Sequence, residues 1–150
     1  MAELEARRSA AVEDYAKAIY SLSERSNGGA SVSALAERLG VAQASVSAMV
    51  TRLTELGLVE HQRYRGVHLT DAGELIALEV IRHHRLLELY LAETLGVDVA
   101  DVHDEADRLE HAISEELEAR IDKALGFPTH DPHGDPIPDA NLRWPHAASG

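Results

Sequence analysis

Side chains that can bind a metal recur at helical spacing in one short segment, HDEADRLEH at residues 103–111. His103 is followed after four, seven and eight residues by Asp107, Glu110 and His111. These spacings are close to whole turns of a helix with 3.6 residues per turn. A helix would place these imidazoles and carboxylates on one side, and nitrogen and oxygen donors without sulfur suit a divalent cation. The alternative is a solvated acidic helix face, which is the commoner role of such a pattern.

Two further donors, His84 and Glu88, are four residues apart on the preceding helical pattern. The short loop at Gly96 and Val97 predicts that the two helices are antiparallel neighbours, and facing helices are a common location for a metal site. A third carboxylate, Asp14, can join these donors only if the first helix of the chain packs against them.

The remaining candidate donors are predicted to be structural. His83 is turned by about 100° from His84 around the helix, so we expect it at the surface. The donors of the tail lie in a loop within residues 128–145, which contain all five prolines of the chain, and such a loop is poorly preorganised for a cation. We therefore interpret them as ordinary loop residues: His130, Asp131, His133 and Asp135.

The composition indicates one or two small helical domains. Of the 150 residues 45% are apolar but only 4% are aromatic, so a core made largely of Ala and Leu predicts helices packed on helices. The absence of Cys excludes disulfides and thiolate metal sites. The sequence has no run of 18 apolar residues and no charged-then-apolar leader, so we expect a cytoplasmic protein with no membrane partner.

The negative charge is concentrated in the second half of the chain. Residues 1–75 carry 8 Lys and Arg against 10 Asp and Glu, whereas residues 76–150 carry 6 against 16. A DNA-binding protein usually shows a basic face. This chain therefore either binds no DNA, or binds it through a few local basic residues while bound cations neutralise part of the acidic half.

The order of elements in the first half predicts a winged helix-turn-helix. Three helical patterns, the last from Gln43 to about Leu56, are followed by two short strands at residues 58–59 and 67–69. The short turn before the third helix suits a helix-turn-helix, whose second helix enters the major groove. The predicted DNA contacts are Ala42, Gln43, Ala44, Ser45, Ser47, Ala48, Thr51, Arg52 and, on the wing, Arg63 and Arg65. For any one of them an ordinary solvated role is the alternative.

The second half predicts an all-helical dimerisation domain. A long helix from Asp71 to about Leu95 is apolar on more than one side, which indicates a partner such as a second copy of the chain. The fold class is therefore mainly α with a small β wing. We divide the chain into a DNA-binding domain at 1–75, a helical metal-binding and dimerisation domain at 76–140 and a flexible tail at 141–150.

These features together resemble the diphtheria toxin repressor family of metal-dependent transcriptional repressors, and more closely its short, manganese-type members. The resemblance covers about residues 10–138. It rests on the helix-turn-helix and on the motifs VEDYAKAIY, YRGVHLTDAG, RHHRLLE, VHDEADRLEH and GDPIP. The longer iron-type members carry an additional SH3-like domain, and because nothing after the tail resembles it, we expect the chain to lack it.

The resemblance implies two metal sites. The primary site falls on Asp14, Asp107, Glu110 and His111. The second, ancillary site falls on His84, Glu88 and His103. Manganese-type members commonly carry Glu one turn after Asp14, where this chain has Lys17. A protonated Lys cannot bind a cation, so we expect two separated sites rather than a binuclear one.

The resemblance also implies a function in metal homeostasis, the repression of metal-uptake genes by a metal-loaded homodimer on operator DNA. Iron-type members have Met and Cys at the positions of Asp14 and Asp107, and hard carboxylates in their place favour Mn²⁺ over the alternative, Fe²⁺. Zn²⁺ and Co²⁺ are expected to substitute in vitro. A metal-independent winged-helix regulator that answers to a small organic ligand remains the alternative. We expect no enzymatic activity and no organic substrate, because no substrate pocket can be inferred.

Overall fold

The computed structural model describes residues 9–25, 28–62 and 65–145. These residues form six helices and one two-stranded sheet, which confirms the predicted fold class. The elements in order are α1 Ala10–Arg25, α2 Val32–Leu39, α3 Gln43–Glu55, β1 Val59–Gln62, β2 Gly66–Leu69, α4 Asp71–Glu93, α5 Val102–Leu109 and α6 Glu115–Ala124. The chain forms two compact units that divide within α4, between Ala77 and Leu78. None of the described helices is both long enough and apolar enough to span a membrane.

The amino-terminal unit is a winged helix whose second helix has a capping residue at each end. Ser31 caps α2 by accepting a hydrogen bond from the Ala34 amide at 3.0 Å. Gly40 ends the helix in the left-handed conformation, with φ of 67°. The three helices and the wing enclose one apolar core, and its most deeply buried side chains are Ile19, Leu35, Val46, Leu53, Leu58 and Val67.

The wing is an antiparallel hairpin. Its register places Val59 of β1 opposite Leu69 of β2, and the polar strand residues 60–62 are exposed. On the other side of β2, Ala30 and Val67 exchange backbone hydrogen bonds of 3.0 and 2.8 Å. Both strands are longer than predicted. The prediction rested on apolar residues, whereas the backbone hydrogen bonds of the hairpin extend to polar residues and to glycine. Arg63, a predicted DNA contact, lies outside the described residues.

The predicted DNA contacts on α3 share one exposed face, opposite a buried face of Val46, Val50 and Leu53. Arg52 lies 3.9 Å from Glu55 on the same face, and Arg65 is exposed on the wing. The helix therefore presents mostly small uncharged side chains, of a size that a major groove accommodates. The exposed residues at its start are Ala42, Gln43, Ala44, Ser45, Ser47 and Ala48, with Thr51 one turn further on.

The carboxyl-terminal unit packs α5, α6 and the tail around the second part of α4. Leu86 and Leu89 contact Ile137 of the tail. On another side of α4, Leu87 packs with Ala106 of α5 and Ile121 of α6. The helix is therefore buried on more than one side within this unit, in agreement with its apolar sequence.

The segment HDEADRLEH is not one continuous helix, contrary to the prediction. α5 ends at Leu109, so that Glu110 is its C-cap and His111 lies in the following turn. The chain turns here to reach Ser114, whose hydroxyl caps α6 by accepting from the Leu117 amide at 3.1 Å. Beyond α6 the tail also forms turns, because the Asp139 carboxylate accepts hydrogen bonds from the amides of residues 141 and 143.

Gly73 allows α4 to begin directly against the end of the wing. A Cβ atom on this residue would lie 2.1 Å from the carbonyl oxygen of Leu58, which is too close for any side chain. The same carbonyl accepts a hydrogen bond from the Thr70 amide at 3.0 Å. The Thr70 hydroxyl in turn caps α4 by accepting from the Gly73 amide at 3.2 Å. This contact therefore requires glycine.

We predict that Gly73→Ala lowers the free energy of unfolding by about 1–3 kcal/mol, because the added methyl group forces the wing and α4 apart. An ordinary Gly→Ala change inside a helix would instead stabilise by roughly 1 kcal/mol. Urea unfolding measures the difference. Glu74→Gln at the exposed neighbouring position is the control, with an expected change within about 0.5 kcal/mol. A stabilised Gly73→Ala variant would contradict the close approach.

Candidate metal centre

Four of the predicted donors lie on two packed helices of the carboxyl-terminal unit. His84 and Glu88 are one turn apart on α4 and are buried, with exposed fractions of 6% and 2%. His103 and Asp107 are one turn apart on α5 and are exposed. The apolar contacts between α4 and α5 bring these two pairs together.

The first donor group consists of His84, Glu88 and His103. The Nε2 atom of His84 lies 3.0 Å from Oε1 of Glu88 and 3.2 Å from Nδ1 of His103. One donor atom from each of the three residues lies within 4.8 Å of the others. This spacing fits ligands around a single cation, and the three residues are those of the predicted second site.

The second donor group uses the other nitrogen of the same ring. Nδ1 of His84 lies 2.5 Å from Oε2 of Glu110 and 3.3 Å from Oδ1 of Asp107. Glu110 is only 1% exposed, and its other oxygen, Oε1, lies 3.4 Å from Nε2 of His111. Two residues of the predicted primary site, Asp107 and Glu110, therefore share this group with His84, and a third, His111, contacts Glu110. The fourth, Asp14, is half-buried on α1 in the amino-terminal unit.

A third donor group joins Glu88 to the tail, and it includes Asp131 and His133, which we predicted to be ordinary loop residues. Nδ1 of His133 lies 3.3 Å from Oε2 of Glu88, outside hydrogen-bonding geometry, and Asp131 completes the group. The loop is preorganised because Oδ1 of Asp131 accepts hydrogen bonds from the amides of His133 and Asp135, each at 2.9 Å. Asp131 is 6% exposed, whereas the neighbouring candidates His130 and Asp135 are exposed.

Two arginines of α4 hold the tail in this position. Arg82 donates to the Pro138 carbonyl at 2.9 Å, and Arg85 donates to the Pro136 carbonyl at 2.6 Å. Between these two prolines, Ile137 is buried against α4. The sequence signal for this docking is a single large apolar residue between two prolines in an otherwise polar segment.

Burial affects the two facing carboxyl groups in different ways. It raises the pKa of Asp131, against the amide hydrogen bonds from Asp135 and His133, and the charge of Glu88 adds to the rise. Burial also acts to raise the pKa of Glu88. The hydrogen bond and charge of His84, with the charges of His133 and His103, outweigh it and hold that pKa below its usual value. Glu88 is therefore a buried carboxylate that depends on positive charge nearby.

Two oxygen atoms of this group have no hydrogen-bond partner among the described residues, Oε2 of Glu88 and Oδ2 of Asp131. A buried carboxylate oxygen without a partner is costly, and a bound cation would satisfy both atoms. The donors are imidazole nitrogens and carboxylate oxygens only, because the chain has no Cys. Such a set suits borderline and hard divalent cations such as Fe²⁺, Zn²⁺ and Mn²⁺. The residues present therefore fit a divalent cation.

The prediction that His83 lies at the surface is wrong. Its side chain is 6% exposed, because a rotation of about 100° around a helix packed on several sides leads to another buried face. Nε2 of His83 donates to the Glu118 carboxylate of α6 at 2.7 Å. Nδ1 lies 3.2 Å from the backbone carbonyl oxygen of Glu110. His83 thus contacts the main chain of a candidate ligand.

Arg82 and His83 share the carboxylate of Glu118 in a buried network. The Arg82 guanidinium donates to Glu118 and, at 3.0 Å, to Asp122. Burial acts to raise the pKa of Glu118, but the hydrogen bond and charge of His83, with the charge of Arg82, hold it below its usual value. Burial acts to lower the pKa of His83, yet Glu118 raises it above its usual value. These cations and carboxylates compensate one another without a metal.

Known proteins match both halves of the chain. The sequence profile of the iron dependent repressor N-terminal DNA binding domain matches residues 8–67, and that of the iron dependent repressor metal binding and dimerisation domain matches residues 70–139. The diphtheria toxin repressor of Corynebacterium diphtheriae is 40% identical over 127 residues, which are 84% of this chain and 55% of that protein. An uncharacterized HTH-type transcriptional regulator of Methanocaldococcus jannaschii is 33% identical over 113 residues, 75% of this chain and 90% of that protein.

Solved structures of metal-dependent repressors and regulators are also similar to this chain. A manganese-dependent transcriptional repressor in complex with manganese is 48% identical, with a TM-score of 0.83 over 91% of this chain and 62% of that chain. The manganese regulator SloR is 36% identical, with a TM-score of 0.72 over 85% of this chain and 62% of that chain. The chain spans about half the length of the curated diphtheria toxin repressors and iron-dependent repressors that it matches.

We predict that Glu118→Gln lowers the free energy of unfolding of the metal-free protein by about 3–5 kcal/mol near neutral pH, because it removes the buried carboxylate that Arg82 and His83 share. The pKa of Glu118 is depressed in the folded state, so its stabilisation is present above the unfolded-state value of about 4.5 and is lost as the pH falls through the folded value. The gap between variant and wild type should therefore shrink in acid.

Urea unfolding in the presence of a chelator, repeated from neutral to acidic pH, tests this expectation. Glu116→Gln, exposed on the same helix, is the matched control and should change the free energy of unfolding by no more than about 0.5 kcal/mol. A Glu118→Gln gap that stays constant down to strongly acidic pH would show that the charge of this carboxylate does not stabilise the fold.

Proposed function

The chain belongs to the iron-dependent repressor family, the family of the diphtheria toxin repressor, and from that premise we propose that it is a manganese-dependent repressor of transcription. The observation that carries the proposal is the cluster of imidazoles and carboxylates around the buried ring of His84. It occurs in a chain whose amino-terminal unit is a winged helix with an exposed recognition helix.

We assign two cations to each chain. The primary site comprises Asp14, Asp107, Glu110 and His111, where Asp14 is included on the resemblance to the family alone. The second site comprises His84, Glu88 and His103. Because three ligands would fill only half of an octahedral shell, we add Asp131 and His133 of the tail to the second site, where they lie close to the Glu88 oxygen that accepts no hydrogen bond among the described residues.

The choice of Mn²⁺ follows from the ligand chemistry. Asp14 and Asp107 are hard oxygen donors, and the chain offers no thiolate. Fe²⁺ is the second candidate, because several relatives are named iron-dependent repressors. Zn²⁺ and Co²⁺ bind such donors at least as tightly as Mn²⁺ in general, so selectivity depends on geometry and on metal availability.

A bound divalent cation supplies positive charge that several carboxylates can share. Asp14 belongs to the DNA-reading unit, whereas Asp107, Glu110 and His111 belong to the carboxyl-terminal unit. Residues of both units held at one site would restrict the two winged helices of a homodimer to separations that fit successive turns of DNA, about 34 Å apart. The exposed face of α3 would then read operator DNA of metal-uptake genes.

The proposed homodimer is supported by apolar side chains that the carboxyl-terminal unit leaves exposed. Homodimer interfaces are more apolar than the rest of a protein surface, and the matched profile is that of a metal binding and dimerisation domain. The exposed residues are Leu95, Val99, Leu109, Leu117 and Phe127.

The test is retention of genomic DNA fragments from the source organism by the purified metal-free protein, with and without added Mn²⁺. We expect enrichment of a palindromic sequence only with Mn²⁺. Glu110→Gln removes a proposed direct ligand. It should weaken Mn²⁺-dependent DNA binding by more than roughly 10–100-fold, which is the effect of losing a residue that only hydrogen-bonds to a ligand. Glu105→Gln, on the same helix and paired with Arg108, is the control and should bind normally. Equal enrichment without metal would favour the regulator that answers to an organic ligand.

We predict that Asp131→Asn lowers the affinity of the second site for Mn²⁺ by roughly 10–100-fold, because it removes a charged oxygen donor. The amide oxygen can still accept the two backbone hydrogen bonds that shape the loop. Asp135→Asn, exposed in the same loop, is the matched control and should keep wild-type affinity. Electron paramagnetic resonance of free Mn²⁺ measures both variants, and equal affinities would remove the tail from the site.

A further inference from the structure

The loop at residues 129–138, here called the tail strap, is closed on itself by its own backbone. The Ile137 amide donates to the Thr129 carbonyl at 2.8 Å, and the Asp131 amide donates to the Asp135 carbonyl at 2.9 Å. The Asp135 amide in turn donates to Oδ1 of Asp131 at 2.9 Å. Because these hydrogen bonds lie within the loop, the tail strap can keep its shape whether or not it is docked on α4.

Apolar packing and two hydrogen bonds hold the tail strap on α4. Ile137 is 1% exposed and packs on Leu86 and Leu89. Arg82 and Arg85 donate to the carbonyl oxygens of the residues on either side of Ile137. A short segment of this kind can leave and return while the rest of the unit stays folded, because a local opening costs less than global unfolding.

Docking also places a second buried carboxylate beside Glu88. Asp131 is 6% and Glu88 2% exposed, and one donor atom from each, with one from His133, lies within 4.8 Å of the others. Oε2 of Glu88 and Oδ2 of Asp131 accept no hydrogen bond among the described residues. Burial raises the pKa of Asp131 against the hydrogen bonds of its own loop, and the charge of Glu88 adds to the rise. The two charges therefore oppose docking unless positive charge lies between them.

We propose that the tail strap is a cation-dependent clamp, which docks on α4 when the second site holds a divalent cation and is released when the cation is lost. This inference rests on the proposed function and specifies its regulation. Glu88 is fixed on the helix, whereas Asp131 and His133 belong to the tail strap, so a cation bound by all three joins the two elements. Release uncovers part of the apolar face of α4 at Leu86 and Leu89, so metal loss changes the surface of the unit.

The size of the effect follows from the reciprocity of linked equilibria. The donors of the tail strap are expected to raise the affinity of the second site for Mn²⁺ by roughly 10–100-fold. Saturating Mn²⁺ must then shift the equilibrium between the released and the docked tail strap by the same factor. The fraction of molecules with a released tail strap therefore falls roughly 10–100-fold when Mn²⁺ saturates the site.

The test measures the reactivity of one introduced thiol in the full chain, which has no Cys of its own. Ile137→Cys puts a small apolar side chain where the docked tail strap buries it, so labelling by an aromatic disulfide reagent requires release. Ile121→Cys is the matched control. Ile121 is 5% exposed in the same unit but packs with Leu87 and Ala106 on another side of α4, so its thiol reports opening of the whole unit.

We expect saturating Mn²⁺ to slow the labelling of Ile137→Cys by roughly 10–100-fold. In the metal-free protein, Ile121→Cys should react at least about tenfold more slowly than Ile137→Cys, because it waits for a larger opening. Leu89→Cys, on the helix side of the same contact, is a second reporter and should behave as Ile137→Cys does. Equal labelling rates of Ile121→Cys and Ile137→Cys without metal, or a rate of Ile137→Cys that Mn²⁺ leaves unchanged, would overturn the clamp.

A second substitution separates the clamp from general stabilisation by metal. Asp131→Asn removes a charge but keeps the oxygen that accepts the hydrogen bonds of the loop. In metal-free Ile137→Cys protein it should slow labelling, because docking no longer brings a second charge to Glu88, and it should remove most of the Mn²⁺ effect. Asp135→Asn, exposed in the same loop, should do neither. Faster labelling of the metal-free protein with Asp131→Asn would show that the carboxylate favours docking and would overturn the clamp. Circular dichroism verifies that each variant is folded.

These outcomes differ from failure of the proposed function. Wild-type protein that binds no Mn²⁺ would contradict both the function and the clamp. Mn²⁺-dependent protection of Ile137→Cys without Mn²⁺-dependent retention of DNA would support the clamp and contradict the repressor function. Mn²⁺-dependent retention of DNA with unchanged labelling would support the function and overturn the clamp alone.

Discussion

Compensation of buried charge is the constraint on which the carboxyl-terminal unit depends. Near the start of the part of α4 that belongs to this unit, Arg82 and His83 contact Glu118 and Asp122. The protein itself therefore balances these buried charges. Further along α4, among the residues that the structure describes, the charges of Glu88 and the nearby Asp131 are opposed by imidazoles. Burial of an uncompensated carboxylate is costly. The folding of this unit and the binding of a cation are therefore thermodynamically linked.

Much of this arrangement could be predicted from the sequence, because it follows from local rules. The caps at Ser31, Thr70 and Ser114 are short-range hydrogen bonds, and each begins a helix with a hydroxyl side chain that favours this position. The pairing of His84 with Glu88 follows from a spacing of one helical turn. The contact of that pair with α5 follows from a short connection between antiparallel helices. Local signals thus locate most of the donors.

What the sequence did not reveal depends on contacts distant along the chain. Periodicity assigns a residue to a helix face, but it does not say how many faces are covered, so His83 was predicted to be exposed. The tail docks through hydrogen bonds from Arg82 and Arg85 to carbonyls 56 and 51 residues away. A proline-rich segment gives no periodic signal for such contacts. The buried Ile137 is the single local sign, and one apolar residue does not determine where a loop packs.

The weak positive charge of the DNA-reading surface is consistent with control by metal. Phosphate contacts supply most non-specific affinity for DNA, yet the exposed face of α3 is largely uncharged and the chain carries a net charge of −12. On the proposed function, the metal-free protein therefore has a low baseline affinity. Coupling of about 1–3 kcal/mol changes affinity by roughly 5–150-fold. Such a factor can switch an operator from empty to occupied only if the metal-free protein binds DNA too weakly to occupy it at the available protein concentration. A recognition surface with few charges keeps that affinity low. Modest metal coupling is then sufficient.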